Sequence, residues 1–329
     1  MNGSAAPAVP DVSFVVIAYN ERVNIVRCLT SITSQVGGAS YEVVVVDDGS
    51  GDGTASLVGE LAARSAEISL IEHPRNRGRG AARQTGITAA RGALIAMVDA
   101  DIVLPEDWLE NCRGALAIHD ADAVGGIAVP DGDVSYVCSR FSLRPRPVRP
   151  TVPVGGGNGL YRREVFDSIG VDPSLSEGED VALNREMEAS GFRSRTLSEV
   201  IVEHREDKNF LQSLRWLYES GRGASRQFIR YREVRTPDLA LVGQLAAIGL
   251  GAALRRQGID RRIAWTFPCA YLIAASGGHL RRKFEIRGNA GRFSLATATY
   301  ALLMGGYFAG RITGVPRALR DSSKTRPVG

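Results

Sequence analysis

Val12–Ala18 (VSFVVIA) is an unbroken apolar, β-branched run, the pattern of a strand buried on both faces. In the segment after it, Val23, Ile25, Val26, Leu29 and Ile32 fall near helical spacing, with Asn20 placed to cap the helix. Residues 42–46 predict a second strand that runs into Asp47-Asp48-Gly49-Ser50, and Thr54 starts a second helix. Residues 68–71 predict a third strand, 80–90 a third helix and 93–98 a fourth strand that runs into Asp99-Ala100-Asp101. Strands alternating with helices over short connections predict an α/β fold with a mainly parallel sheet flanked by helices. Ligands of such sheets sit beyond the carboxyl ends of the strands. Three of the four strands end in polar clusters, at Tyr19-Asn20-Glu21, at Asp47-Asp48 and at Asp99 with Asp101, so these should meet along one edge.

Past Asp122 the pattern is mixed. Residues 122–129 predict a strand, 139–154 a Pro- and Arg-rich loop, and 155–170 a glycine-rich turn into a short helix. Residues 177–191 predict a helix that opens on Glu177, Glu179 and Asp180, 195–204 a strand, and 208–231 a long helix. Residues 239–254, 263–280 and 293–310 are apolar and Gly/Ala-rich, each near the lower edge of the about 20 residues that span a bilayer. Arg255, Arg256, Arg261 and Arg262 follow the first segment, and Arg281, Arg282 and Lys283 the second. Basic loops after two successive segments conflict with a simple three-span topology, because one of them would lie outside. Spanning helices, helices lying in the plane of the inner leaflet and a packed helical domain all fit. Membrane association is the expectation, with the number of spans open.

The 329 residues are 44% hydrophobic and 23% charged, which excludes a disordered chain and one with most of its mass in lipid. A net charge of +4 is too small to point to nucleic acid. Cys28, Cys112, Cys138 and Cys269 form no CxxC pair and no zinc-site spacing with histidine, and read as thiols in a reducing compartment. The first eleven residues lack a basic region followed by an apolar stretch, so they read as a flexible lead and not as a secretory signal.

Asp99 and Asp101, one residue apart at a strand end, can hold a hard divalent cation whose other positions go to water and phosphate oxygens. Solvated acids in a turn are the alternative. The glycines around Asn158 allow close backbone approach to a ligand, or make a hinge. Asp48 also suits an Asx turn before Gly49. Arg140, Arg144, Arg146 and Arg149 suit a lipid diphosphate at a membrane surface, or a solvated loop. His73, His119 and His279 read as structural.

The stretches VVIAYNE, VVVVDDGSGDGT, RNRGRGAARQTGI, ALIAMVDAD, GGGNGLYRREVF, EGED and QSLRW come in this order over residues 12–216. Together they resemble the family 2 glycosyltransferases of GT-A fold, and most of all the membrane-associated, succinoglycan-type enzymes of exopolysaccharide assembly. The resemblance implies a GT-A nucleotide-sugar-binding fold followed by an apolar helical C-terminal region. It divides the chain into a lead (1–11), a catalytic domain (12–232), a membrane-associated helical region (233–314) and a tail (315–329). It implies that Ala18, Tyr19, Glu21, Asp47, Asp48, Arg83 and Asp99 line the nucleotide-sugar site, with Gln84 standing where the family often has Asn. Asp101, Asp99 and His204 would hold Mn²⁺ or Mg²⁺. Asp180, with Glu179 second, would be the general base, although acids at a helix start also suit the helix dipole. Gly157 and Asn158 would border the acceptor, joined by Gln212, Arg215 and Trp216 of a QxxRW motif, whose alternative is a helix with Trp inside and Arg outside.

The implied activity is inverting, metal-dependent transfer from a nucleoside-diphosphate sugar, UDP being the family's commonest nucleotide, to a hydroxyl acceptor at the cytoplasmic face of the membrane. Lipid-linked, growing-polymer and small-metabolite acceptors all fit. So does a non-catalytic nucleotide-sugar-binding membrane module, against which the intact acids argue. A nucleotidyltransferase would carry a G-x-G-T-R-type loop near Ala18, and none is there.

Overall fold

The computed structural model describes residues 9–129, 135–145, 154–205, 208–232, 234, 236–285 and 290–322. In chain order the elements are β1 (Val12–Ala18), α1 (Ile25–Thr33), β2 (Tyr41–Asp47), α2 (Thr54–Ala62), β3 (Ile68–Glu72), α3 (Arg79–Ala89), β4 (Leu94–Asp99), β5 (Ile102–Val103), α4 (Trp108–Ile118) and β6 (Ala123–Val129). There follow α5 (Ser135–Phe141), β7 (Arg144–Pro145), β8 (Asn158–Arg162), α6 (Arg163–Ser168), α7 (Glu179–Ala189), β9 (Ser194–His204) and α8 (Phe210–Tyr231). The last are α9 (Thr236–Arg256), α10 (Arg261–Lys283), β10 (Phe284–Glu285) and α11 (Ala290–Ser322).

The chain divides into two compact units, 1–129 with 148–205, and 130–147 with 206–329. The first holds an eight-stranded sheet in the order β3-β2-β1-β4-β8-β6-β9-β5. Its first four strands are parallel, β8 runs antiparallel to both β4 and β6, and β9 runs parallel to β6. The continuous apolar runs are explained by cover on both faces. Phe14, Val16, Ala96 and Val98 pack with Ile25, Leu29, Ile32, Trp108 and Leu109 on one side. Val15, Ile95 and Met97 pack with Ile87, Val165, Leu183 and Met187 on the other.

Several local expectations differ from the fold. Asn20 does not cap α1. It sits at φ 58°, its side-chain oxygen accepts from Gly51 N (2.9 Å), and the helix starts only at Ile25, after a turn. Between the glycines and α6 the chain first makes a strand, β8, since two buried neighbours, β4 and β6, need its backbone hydrogen bonds. Helix α4 was not anticipated. Helix α5 runs from Ser135 into the start of the expected Arg-rich loop, where Arg140 is exposed; Arg144 lies in β7, and Arg146 and Arg149 lie outside the described residues.

Helix α8, which lies inside the 12–232 expected for the catalytic domain, clusters with the second unit. The cause is a small-residue seam between α8 and α11. A methyl group at Gly310 would overlap the Tyr218 carbonyl, one at Gly221 the Tyr307 carbonyl, and one at Gly306 would meet Leu214. Such positions let two helix backbones approach closely. Buried Ser225 closes the seam by donating from Oγ to Arg311 O (2.6 Å). Nearby, Asp238 at the start of α9 accepts from Arg311 Nε (2.7 Å) and Nη2 (3.0 Å) and from the Tyr307 hydroxyl (3.1 Å). Among the described residues one helix, Pro237–Arg256, is long and apolar enough to cross a membrane, where the sequence suggested three such segments. It leaves Leu239, Val242 and Leu245 exposed.

Asp238→Ala strands the Arg311 charge in a site where each side chain is no more than 10% exposed. A loss of about 3–5 kcal/mol is expected. Denaturant unfolding of the full chain followed by circular dichroism checks it, and a loss below 1 kcal/mol (about the worth of a surface pair) would mean the pair is not buried in solution.

Candidate active site

Strand register builds the site. Ala18 on β1 lies beside Asp47 on β2, and Ile17 lies beside Asp99 on β4, so residues far apart in sequence reach one carboxyl edge together. The β5–β9 pairing sets Ile102 opposite His204, which brings His204 Nε2 to 3.2 Å from Asp101 Oδ2. Asp99 N donates to Gly157 O (3.0 Å) across the β4–β8 ladder, and Cα of Gly157 faces Asp99 so closely that a methyl group there would stand 2.8 Å from Oδ2.

Arg83, 1% exposed, is the hub. Its Nη2 donates to Asp99 Oδ1 (2.7 Å), Nε to Glu179 Oε1 (3.1 Å) and Nη1 to Gly156 O (2.6 Å). Burial opposes its charge, but Asp99 and Glu179 outweigh that and hold the guanidinium above its ordinary range. Arg79, one helical turn earlier and therefore on the same face of α3, comes within 3.8 Å of Glu179 Oε2. That i, i+4 spacing was the signal available in the sequence for a paired site, and only Arg83 was singled out from it.

The neighbouring acids Asp47 and Asp48 do different work. Asp47 makes the Asx turn expected at Asp48: its Oδ1 accepts from Gly49 N (3.1 Å) and Ser50 N (2.8 Å), while its buried Oδ2 has no hydrogen bond among the described residues. Asp48 spends both oxygens on the chain, accepting from Arg77 N (2.9 Å), Gly78 N (2.8 Å) and His73 Nδ1 (2.7 Å). Tyr19 is 48% exposed beyond β1, and Glu21 is half-buried with Asn24 donating to its carboxylate (2.9 Å).

Glu179 is 1% exposed and bound to arginine, whereas Asp180 is half-buried. One Asp180 oxygen accepts from Val181 N (2.8 Å), and the other carries no hydrogen bond among the described residues. Asn158 is buried, and its Oδ1 accepts from Gly126 N (2.6 Å) at the irregular step of the β6–β9 ladder, so it serves the sheet. In the second unit Gln212 forms the capping box of α8 with Asn209, Arg215 is exposed, and Trp216 is half-buried against the helical core with Lys208 Nζ 5.7 Å from its ring centre.

Among the described residues no three histidine, cysteine or acidic side chains cluster as a metal site. The Asp101–His204 pair nonetheless fits one cation. Two adjacent ligands at the about 2.1 Å of an octahedral Mg²⁺ lie about 3 Å apart, close to the 3.2 Å seen here. The remaining positions would fall to water and a diphosphate.

A match to the model "Glycosyl transferase family 2" covers residues 13–170. Glycosyltransferase AglE of Haloferax volcanii is 30% identical over 227 residues, 65% of this chain and 73% of that protein. The chain belongs to glycosyl transferase family 2. It is therefore a glycosyltransferase that takes its sugar from a nucleotide sugar. The succinoglycan biosynthesis protein ExoO of Rhizobium meliloti is 47% identical over 145 residues, 44% of this chain but only 39% of that protein. A mannosyltransferase of Pyrobaculum calidifontis, solved with GDP-Man and Mn²⁺, matches over 94% of this chain and 88% of that one, with a TM-score of 0.58 and 20% identity, and shows the GT-A fold. The family match includes Asp47, Asp48, Arg83, Asp99 and Asp101 and stops before Glu179, Asp180 and His204.

The Arg83–Glu179 contact should couple the two residues energetically. In a cycle of Arg83→Gln, Glu179→Gln and the double variant, unfolding free energies should be non-additive by about 1–3 kcal/mol. Additivity within about 0.5 kcal/mol would show that the contact contributes nothing.

Proposed function

We propose that this family 2 enzyme is an inverting, metal-dependent transferase that moves a sugar from a nucleoside-diphosphate sugar to an acceptor hydroxyl in glycan assembly at the cytoplasmic face of the membrane. The observation that carries the reading is the division between the two acids at the start of α7. Glu179 is buried in ion pairs with Arg83 and, at 3.8 Å, Arg79, whereas Asp180 stands at a half-open position with one oxygen unengaged among the described residues. Asp180 is thus the general base that deprotonates the acceptor hydroxyl. Attack from the face opposite the leaving nucleotide inverts the anomeric centre.

Asp47 Oδ2, buried without a donor, suits an N–H of the nucleotide base, and exposed Tyr19 suits stacking against it. Asp101 and His204 would hold a Mn²⁺ or Mg²⁺ ion, with Asp99 turned towards the same edge by Arg83. When bound, the cation offsets the negative charge that develops on the departing diphosphate. The P. calidifontis mannosyltransferase, with its GDP-Man and Mn²⁺, is consistent with that donor chemistry. Arg83, buried in ion pairs, acts by orienting Asp99 and Glu179. Asp48 supports the loop before α3.

A lipid-linked acceptor is the favoured class. The exposed apolar residues of α9, followed by Arg255 and Arg256, suit a bilayer surface with anionic headgroups. ExoO, named for succinoglycan biosynthesis, points to the same kind of product.

Purified protein given UDP-, GDP- and dTDP-sugars with Mn²⁺ or Mg²⁺ should release nucleoside diphosphate from one of them. Release should need the metal and be lost in Asp101→Ala. Asp180→Asn should keep donor affinity and lower turnover by about 10²–10⁴-fold. Turnover near that of the unaltered enzyme would remove Asp180 as the base.

A further inference from the structure

His73, outside the transfer chemistry, is tightly held: its side chain is 5% exposed and both ring nitrogens are engaged. Nδ1 lies 2.7 Å from Asp48 Oδ1, and Nε2 lies 3.0 Å from Thr85 Oγ1. A carboxylate only accepts, so Nδ1 carries a proton towards Asp48, while Nε2 is engaged by the Thr85 hydroxyl. His73 follows β3, its backbone N–H donates to Asp47 O (2.8 Å), and Thr85 lies in α3. The ring therefore joins the ends of β2 and β3 to α3, across the base of the loop 74–78.

That loop determines where α3 begins. Asp48, held by His73, accepts from the amides of Arg77 and Gly78, the last two residues before the helix. Gly78 takes φ 93°, and a methyl group on it would press on Ser176. Gly80 N then donates to Leu175 O (2.9 Å). The loop is thus pinned on one side to Asp48 and on the other to the segment that leads into Glu179 and Asp180. One turn into the helix, Arg83 reaches Asp99 and Glu179.

We infer that His73 is a positioning residue for the transfer reaction: through Asp48 it fixes the Arg77–Gly78 peptide and so sets the start of α3 from which Arg83 orients Asp99 and Glu179. The link to transfer rests on the function proposed above, but the latch itself can be scored without any substrate.

Hydrogen–deuterium exchange of the full chain compares two variants. His73→Asn places an N–H donor where Nδ1 was and keeps the Asp48 contact. His73→Gln reaches only towards Thr85. In His73→Gln the segment 75–83 should exchange at least tenfold faster, with β1 and β4 unchanged, and His73→Asn should stay within twofold of the unaltered chain. If His73→Gln does not fold, Asp48→Asn, which removes one acceptor oxygen, should give the same local loosening. No loosening, equal loosening in both histidine variants, or uniform loosening of the whole first unit would overturn the inference.

With the nucleotide sugar that the enzyme uses, donor KM should rise at least tenfold in His73→Gln, more than kcat falls, and recover in His73→Asn. An unchanged KM beside local loosening would also overturn the positioning role. If no donor is turned over by the unaltered enzyme, the reading as a nucleotide-sugar transferase of this mechanism fails, and exchange alone still decides whether the latch exists.

Discussion

A guanidinium buried to 1% exposure must find its counter-charges inside the fold, and Arg83 finds them on two elements that are distant in the chain. Asp99 ends β4, Glu179 starts α7, and the Gly156 carbonyl completes the set from the turn before β8. Breaking such a cluster leaves charges in a low dielectric, so each member constrains the others. The partly exposed Asp99 takes its orientation from this buried contact. The acids that face solvent at the sheet edge are held from behind.

The same logic separates residues that look alike in sequence. Asp47 and Asp48 are neighbours, yet one caps its own turn and keeps a buried oxygen without a partner, while the other is consumed by two amides and an imidazole. Glu179 and Asp180 are also neighbours at a helix start, yet one is buried in the arginine pair and the other is half-buried with its Oδ1 on the Val181 amide. Among the described residues Asp47 Oδ2 and Glu179 Oε2 are both buried without a hydrogen bond, so what separates Glu179 from Asp180 is its burial between two arginines.

The second unit follows packing rules of its own. Its long helices are joined by a glycine seam and by a buried Asp238–Arg311 pair, both of which secure α11 to its neighbours. Gln212 caps a helix there and Trp216 lies against the helical core, so the QxxRW stretch has a complete structural explanation in addition to its resemblance to a sugar-binding motif. An exposed apolar face on α9 remains.

The sequence by itself determined the parallel strands, because unbroken β-branched runs tolerate burial on both faces, and it located the acids at their carboxyl ends. It also carried the family, since those acids come in a recognisable order. Tertiary structure alone decided which partner each acid meets. The partners of Arg83 lie 16 and 96 residues away, and those of Asp48 25 to 30, so no local pattern could assign them. It also decided that β8 is a strand and that α8 sides with the C-terminal helices, because a backbone's hydrogen-bonding needs and a glycine's missing side chain become instructive only when the neighbour that meets them is in place.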